Sequence, residues 1–521
     1  MVIKTILLVV FFAVMVCVGI HCRRQAADVN GFVLGGRTAG PWLTAFAYGT
    51  SYFSAVVFVG YAGQFGWKYG VAATWVGIGN ALLGSLLAWA VLGRRTRIMS
   101  QHLDSATMPE FFGKRFGSKK LKLLASAITF VFLIPYTASL YNGLSRLFGM
   151  AFHIDYAVCV IVMAVLTGVY VIVGGYIATA INDFIQGIIM IVGIVTVIAA
   201  VLKGQGGFLA ALDSLAKVSD PEVSDTPGVF ASFFGPDPVG LLGVVLLTSL
   251  GTWGLPQMVQ KFYAIRSEKA IDKGMIISTL FAVVVAGGCY FLGGFGRLFS
   301  TPELVAANGY DSIVPTMLEG LSTVLIAVVV IFVLSASMST LSSLVLASSS
   351  TLTLDFIKDT IVKDMDEKRQ ILTMRLLIVV FIAISVVLAI VQYRSNVTFI
   401  AQLIGVSWGT LAGAFLAPFL YGLYWKKTTR GACWVSFLFS TVVMLANIFF
   451  GKYFPTLLQS PINAGAFCML AGLIIVPVVS LVTPRLPQGQ IDRIFACYDR
   501  KVVVSVKDSI GDHTNPKEET P

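Results

Sequence analysis

Charged residues are scarce in this chain: 12% of its 521 residues are Asp, Glu, Lys or Arg, about half the share that soluble domains carry. No long polar stretch is present in which a separate globular domain would fold, and the stretch after residue 485 is too short for a catalytic or signalling unit. Cysteine is sparse and scattered. Cys17, Cys22, Cys159, Cys289, Cys433, Cys468 and Cys497 show neither metal-ligand nor disulfide spacing. The four histidines are dispersed, and no His-acid constellation falls within the apolar segments. Metalloprotease, phosphate-loop and cofactor fingerprints are lacking too, so an enzyme is not expected.

The charge that is present is basic, with 37 Lys+Arg against 26 Asp+Glu and a formal net charge of +11. In a soluble protein this would point to nucleic acid. Here the basic residues fall between apolar runs, where sorting of charge across a bilayer is the simpler cause and no nucleic-acid partner is implied.

What the chain has in quantity is apolar surface: 57% of residues are hydrophobic and the mean hydropathy is +0.85. Its 50 glycines suit membrane helices, which hold more glycine than soluble ones. A crossing needs about 20 mostly apolar residues. That length predicts an all-α polytopic membrane protein with thirteen segments, at about 4–21, 41–66, 70–93, 121–148, 155–174, 177–202, 238–262, 272–298, 315–350, 370–393, 396–425, 430–451 and 463–484.

Charge sets the orientation. With the N-terminus outside, the cytoplasmic stretches are 22–40, 94–122, 261–273, 356–375, 426–430 and the tail from 485, and they hold 29 of the 37 Lys+Arg. The longest outside loop, 203–237, is acidic instead (Asp213, Asp220, Glu222, Asp225, Asp237). Reading segment 1 as a cleaved signal peptide would invert every later loop, and no small-residue cleavage site precedes His21. The first helix is therefore expected to stay, with the C-terminus cytoplasmic. Asn396-Val-Thr398 matches a glycosylation sequon but abuts the membrane.

Two segments carry helix-breaking chemistry at mid-membrane. Segment 2 has Gly49, Thr50, Ser51, Tyr52 and Ser54; segment 7 ends Thr248-Ser-Leu-Gly-Thr-Trp-Gly-Leu-Pro256. Such backbone survives only against protein or a water-filled cavity. The breaks open two consecutive blocks, segments 2–6 and 7–11, an odd number of spans apart and so of inverted topology. Paired interruptions point to a midplane binding site in a secondary transporter, although small residues also serve close helix packing.

Segment 9 places Ala336, Ser339, Thr340 and Ser343 on one helical face, with Ser342 at its edge. Hydroxyls and freed carbonyls suit sodium, but a serine run also suits packing with back-bonded hydroxyls. Asp183, in segment 6, is the strongest intramembrane ionisable candidate; it either meets a cation inside the bundle or caps the helix start.

Leu34-Gly-Gly-Arg37, Thr107-Met-Pro-Glu-Phe-Phe-Gly-Lys-Arg115, Gly174-Gly175 with Asn182, Asp183 and Gln186, and Ser337-Met-Ser-Thr-Leu-Ser-Ser343 occur in this order. Together they resemble the sodium:solute symporter family, close to its bacterial sodium/proline and sodium/pantothenate members, over about residues 31–430. The resemblance implies a five-plus-five inverted-repeat core of the leucine-transporter type. It divides the chain into an N-terminal helix and linker (1–40), a first repeat (41–202), an extracellular loop (203–237), a second repeat (238–425), two C-terminal helices (426–484) and a cytoplasmic tail (485–521).

The resemblance also implies one sodium site from the carbonyls of Thr50, Phe53 and Ala336 and the hydroxyls of Ser339 and Thr340. A second would use Asp183, Ser339, Ser342 and Ser343, giving two sodium ions. At the position where the proline carriers have an aspartate this chain has Tyr52, and Thr248 and Thr252 replace their Trp and Tyr. Tyr52-Phe-Ser-Ala-Val-Val-Phe-Val-Gly60 and Gly254-Leu-Pro256 look more like the pantothenate side.

The function expected is sodium-coupled symport of a small organic solute (an amino acid, monocarboxylate, pantothenate-like compound or sugar acid) across the plasma membrane by alternating access. The candidate solute contacts are Tyr52, Ser54, Gln64, Tyr136, Thr248, Thr252, Trp253 and Pro256. No obligate protein partner is implied. The rivals are a proton-coupled carrier or channel of the same fold, for which Asp183 is the sole qualifying buried acid.

Overall fold

The structure is a computed structural model that describes residues 2–152, 155–395 and 400–498. The sequon at Asn396 and the tail residues 499–521 lie outside the described residues. Among the described residues there are helices and two isolated bridges but no strand. The helices named below are α1 (Val2–Cys22), α2 (Pro41–Tyr52), α3 (Ala62–Tyr69, continuing a wider turn at Val56–Tyr61), α4 (Lys119–Phe152), α5 (Tyr156–Gly204), α6 (Pro238–Gly254), α7 (Pro256–Ala264), α8 (Glu268–Gly293), α9 (Thr323–Thr351), α10 (Glu367–Ser395), α11 (Ile400–Tyr424), α12 (Arg430–Phe450) and α13 (Pro461–Val482); a further helical run continues from Thr74 to His102.

Apolar residues cover both the inside and the outside. On α10, Leu372, Leu376, Val379, Ile384, Val387 and Val391 are exposed at spacings of three to five, while Met374, Ile378, Phe381, Ser385 and Ala389 face inward, fully buried or nearly so. Between two apolar surroundings, burial from water does not drive helix association; close packing and interhelical hydrogen bonds do. α5 packs against α1, α2 and α9, and α11 against α4, α6, α12 and α13.

Ten helical stretches among the described residues are long and apolar enough to cross a membrane, or eleven when the bent pair α6 and α7 counts as one. This measure does not return the thirteen expected from sequence. The difference lies in two runs, Val56–His102 of 47 residues and Tyr156–Gly204 of 49, each about twice the length of one crossing. Both are interrupted at a glycine of positive φ. Gly70 (φ 62°) would carry a Cβ 2.0 Å from the Phe230 carbonyl oxygen, and Gly175 (φ 56°) one 2.9 Å from that of Phe32. No L side chain fits either place comfortably. Segment 9, expected from 315, instead starts at Thr323, because Ile313–Leu318 forms a separate short helix and Ser322 caps the long one.

The motif at residues 107–115 has a plain structural reason. Thr107 accepts a hydrogen bond from the Glu110 amide (3.1 Å), and Glu110 accepts one from the Ala106 amide (2.8 Å). This reciprocal cap starts the short helix Met108–Phe116. Basic residues of the same face do more than mark a side of the membrane. Arg37 donates to the Ser105 carbonyl (2.8 Å), Arg115 to that of Gly422 (2.8 Å) and Arg97 to that of Ile265 (2.5 Å).

Candidate functional site

α2 stops at Tyr52 because Phe53 is extended (φ −93°, ψ 123°), and the chain becomes helical again from Ala55. Ser54 caps the restart by accepting from the Val56 amide (3.2 Å), and the Ala55 amide donates to Ser337 Oγ (3.2 Å). The break leaves the carbonyls of the last turn of α2 short of helical donors, and α9 faces them with hydroxyls.

Ser339 Oγ lies 3.1 Å from the carbonyl oxygens of both Thr50 and Ala336. Thr340 Oγ1 lies 3.1 Å from those of Thr50 and Ala336 and 3.3 Å from that of Phe53. The five oxygens predicted for the first sodium site thus converge, all on residues that are fully buried or nearly so. Thr340 has one hydroxyl proton for three carbonyls, so most of the lone pairs remain free for a cation. Neutral oxygens suit a hard monovalent ion. Among the described residues no cluster of three His, Cys, Asp or Glu is placed to hold a metal ion.

Asp183, on α5, is fully buried, and neither carboxylate oxygen accepts a hydrogen bond among the described residues. It therefore does not cap a helix. Ser343 Oγ is 2.7 Å from Ser51 Oγ, and Ser342 donates to the Ser339 carbonyl (2.9 Å). The residue that sequence reasoning missed here is Lys261. Counted with the basic loop 261–273, it lies instead on α7 with its side chain 3% exposed, 3.8 Å from Asp183 Oδ2, and donates to Ser343 Oγ (3.0 Å).

The candidate solute contacts divide. Tyr52 packs on Trp408 of α11 (ring centroids 5.4 Å apart), and Tyr136 meets Trp408 with the two rings nearly perpendicular (5.7 Å). The Tyr61 hydroxyl and the Gln64 carbonyl are buried without a hydrogen-bond partner among the described residues; the buried Tyr52 hydroxyl, Tyr290 hydroxyl and Trp408 indole N–H have Thr248, Asn80 and Tyr136 beside them but outside good hydrogen-bond geometry. Thr248 donates back to the Val244 carbonyl (2.8 Å). Thr252 bonds the Gly84 carbonyl (2.9 Å), Trp253 donates to that of Leu83 (2.9 Å), and Pro256 begins α7 after a 47° bend. Ser54 serves the break itself. Trp408, Tyr61 and Tyr290 gave no signal in sequence, since an aromatic in an apolar helix reads alike toward lipid or pocket.

A helical membrane bundle whose interrupted helix presents converging neutral oxygens, with unsatisfied polar atoms buried nearby, has the build of an ion-coupled secondary transporter. Comparison narrows the class: residues 32–439 match the sequence profile of the sodium:solute symporter family, and the chain belongs to that family. It is a sodium-coupled solute symporter, not an enzyme. Sodium/proline symporters of Staphylococcus aureus strains JH9 and COL are each 27% identical over 493 residues, covering 92% of this chain and 92% of theirs. The fold is shared with a Na+-coupled sialic acid symporter solved in a substrate-bound outward-open state (TM-score 0.71, 16% identity, 93% of this chain and 99% of that one). A nucleobase-cation-symport-1 family transporter in a closed conformation matches at TM-score 0.50 and 14% identity, covering 88% of this chain and 97% of that one.

Proposed function

We propose that sodium binds between the break after Tyr52 and α9, on the carbonyls of Thr50, Phe53 and Ala336 and the hydroxyls of Ser339 and Thr340, and holds the broken helix in its solute-binding shape. The observation that carries this is the convergence of those five oxygens. Asp183 with Ser339, Ser342 and Ser343 forms a second cation position, and its occupant sets the stoichiometry. Alternating access then follows from sodium's different affinity for the two states, driven by the gradient and by about 2.3 kcal/mol per charge per 100 mV.

The solute docks between Tyr52, Tyr136, Thr248 and Trp408, with Tyr61, Tyr290, Asn80 and Gln64 around it. Hydroxyl, indole and amide donors, and the α7 N-terminus at Pro256, favour a solute bearing a carboxylate and hydroxyls, such as a sugar acid or pantothenate-like monocarboxylate. The proline and sialic acid of the named relatives both carry a carboxylate. Tyr52 in place of an aspartate weighs against an amine-bearing solute.

The chain is read as thirteen crossings of the plasma membrane, with breaks at Gly70 and Gly175 dividing the two longest runs. The N-terminus is outside, the C-terminus is cytoplasmic, and the inverted repeats span 41–202 and 238–425. The test is radiolabelled uptake into proteoliposomes over a panel of amino acids, monocarboxylates, pantothenate and sugar acids, with and without a sodium gradient. Sodium-driven uptake of a carboxylate solute, lost in Ser339→Ala, is expected. Uptake driven by protons alone, or unaltered sodium dependence in Ser339→Ala, would overturn the assignment.

A further inference from the structure

A carboxylate buried without hydrogen bonds is costly by several kcal/mol unless a cation stands near it. Asp183 is such a group, and the cation near it is part of the chain. Lys261 reaches from α7 with Nζ 3.8 Å from Asp183 Oδ2, 3.0 Å from Ser343 Oγ and 5.2 Å from the centre of the Tyr176 ring. Ser343 Oγ in turn sits 2.7 Å from Ser51 Oγ, on the last turn of α2. The ammonium thus draws on two of the four residues, Asp183 and Ser343, that a second sodium would use.

An ammonium and a sodium ion carry the same charge and seek the same oxygens. Two like charges about 4 Å apart repel strongly in a low-dielectric interior. With one carboxylate between them, they exclude each other. Lys261 also has a short reach: it lies on the first two turns of α7, which starts at the second break.

We propose that Lys261 is a tethered cation that fills the Asp183 position in place of a second sodium, so that this symporter binds one sodium per chain. The tether joins the α7 half-helix to α5 and α9, so the position stays charged throughout transport without drawing an ion from either side. This rests on the placement of sodium at the Thr50, Ser339 and Thr340 oxygens, and the experiment separates the two.

The experiment is direct binding of radioactive sodium to the purified full-length protein, which needs no knowledge of the solute. Wild type is expected to bind one sodium per chain, and Lys261→Arg likewise. Lys261→Met should bind two, and Lys261→Met combined with Asp183→Asn should return to one. Two sodium ions in wild type, or a single one in Lys261→Met, would overturn the tethered-cation assignment. Should Lys261→Met fail to fold, the wild-type count decides alone. A wild-type protein that binds sodium equally well after Ser339→Ala would instead sink the placement of the first ion.

Discussion

The two breaks share a backbone and differ in what closes on them. Phe53 and Leu255 are extended at nearly the same angles (φ −93°, ψ 123° and φ −82°, ψ 122°). Around the first, α9 offers hydroxyls to freed carbonyls and leaves lone pairs to spare. Around the second, Thr252 is spent on Gly84 and Trp253 on Leu83, and of the side chains flanking the break only the buried amide of Gln257 is left without a partner among the described residues. Gly254 is pressed so closely to α11 that an added Cβ would lie 2.7 Å from Ala412 Cα. On the proposed sodium placement, an interrupted helix is not in itself an ion site. It becomes one when the facing helix supplies fewer protons than acceptors.

The sharpest way to break this contrast is Thr340→Val, which keeps shape and removes the hydroxyl. Losing a ligand to a charged group is worth about 1.5–3 kcal/mol, so sodium affinity should fall about 10- to 150-fold in a binding titration. An unchanged affinity would place the ion elsewhere. Gly254→Ala should act on stability instead. Overpacking against backbone costs about 1–3 kcal/mol, read as a lower Tm in detergent, while sodium affinity of the folded protein stays at the wild-type level. A drop in affinity as well would show that the second break also reports to the ion. The smallest effect belongs to Trp253→Phe, which removes one neutral hydrogen bond worth about 1 kcal/mol. Its Tm should fall slightly with the solute KM unchanged; a raised KM would return Trp253 to the solute pocket.

Both breaks were legible in the sequence because they recur at matching positions of two consecutive blocks; either alone reads as well as close helix packing. The serine face of α9 was legible by spacing, although its pairing with Thr50 and Phe53 came from family resemblance. Lys261 was not legible. A lysine five residues past a proline, close to Arg266 and Lys269, counts as a loop charge under any tally of basic residues. Its burial depends on α7 turning inward beneath Asp183, which no local pattern encodes. Trp408 was missed for a related reason: it faces Tyr52 and Tyr136 only through the packing of α11 on α4 and α6. The basic loops were read as marks of the cytoplasmic side, and the hydrogen bonds of Arg37, Arg97 and Arg115 to backbone carbonyls emerge only once the helices are assembled.

The joint at Gly175 has a consequence for how this family of chains can change over time. The two helices of α5 meet there without a connecting loop, and Asp183 lies a little over two turns further on. Adding or deleting one residue between them would rotate the carboxylate by about 100° about the helix axis, away from α9 and Lys261. Residues 175–183 therefore form a fixed ruler. Substitution can explore them, but insertion and deletion are shut out, and variation in length has to be absorbed in stretches such as 203–237 instead.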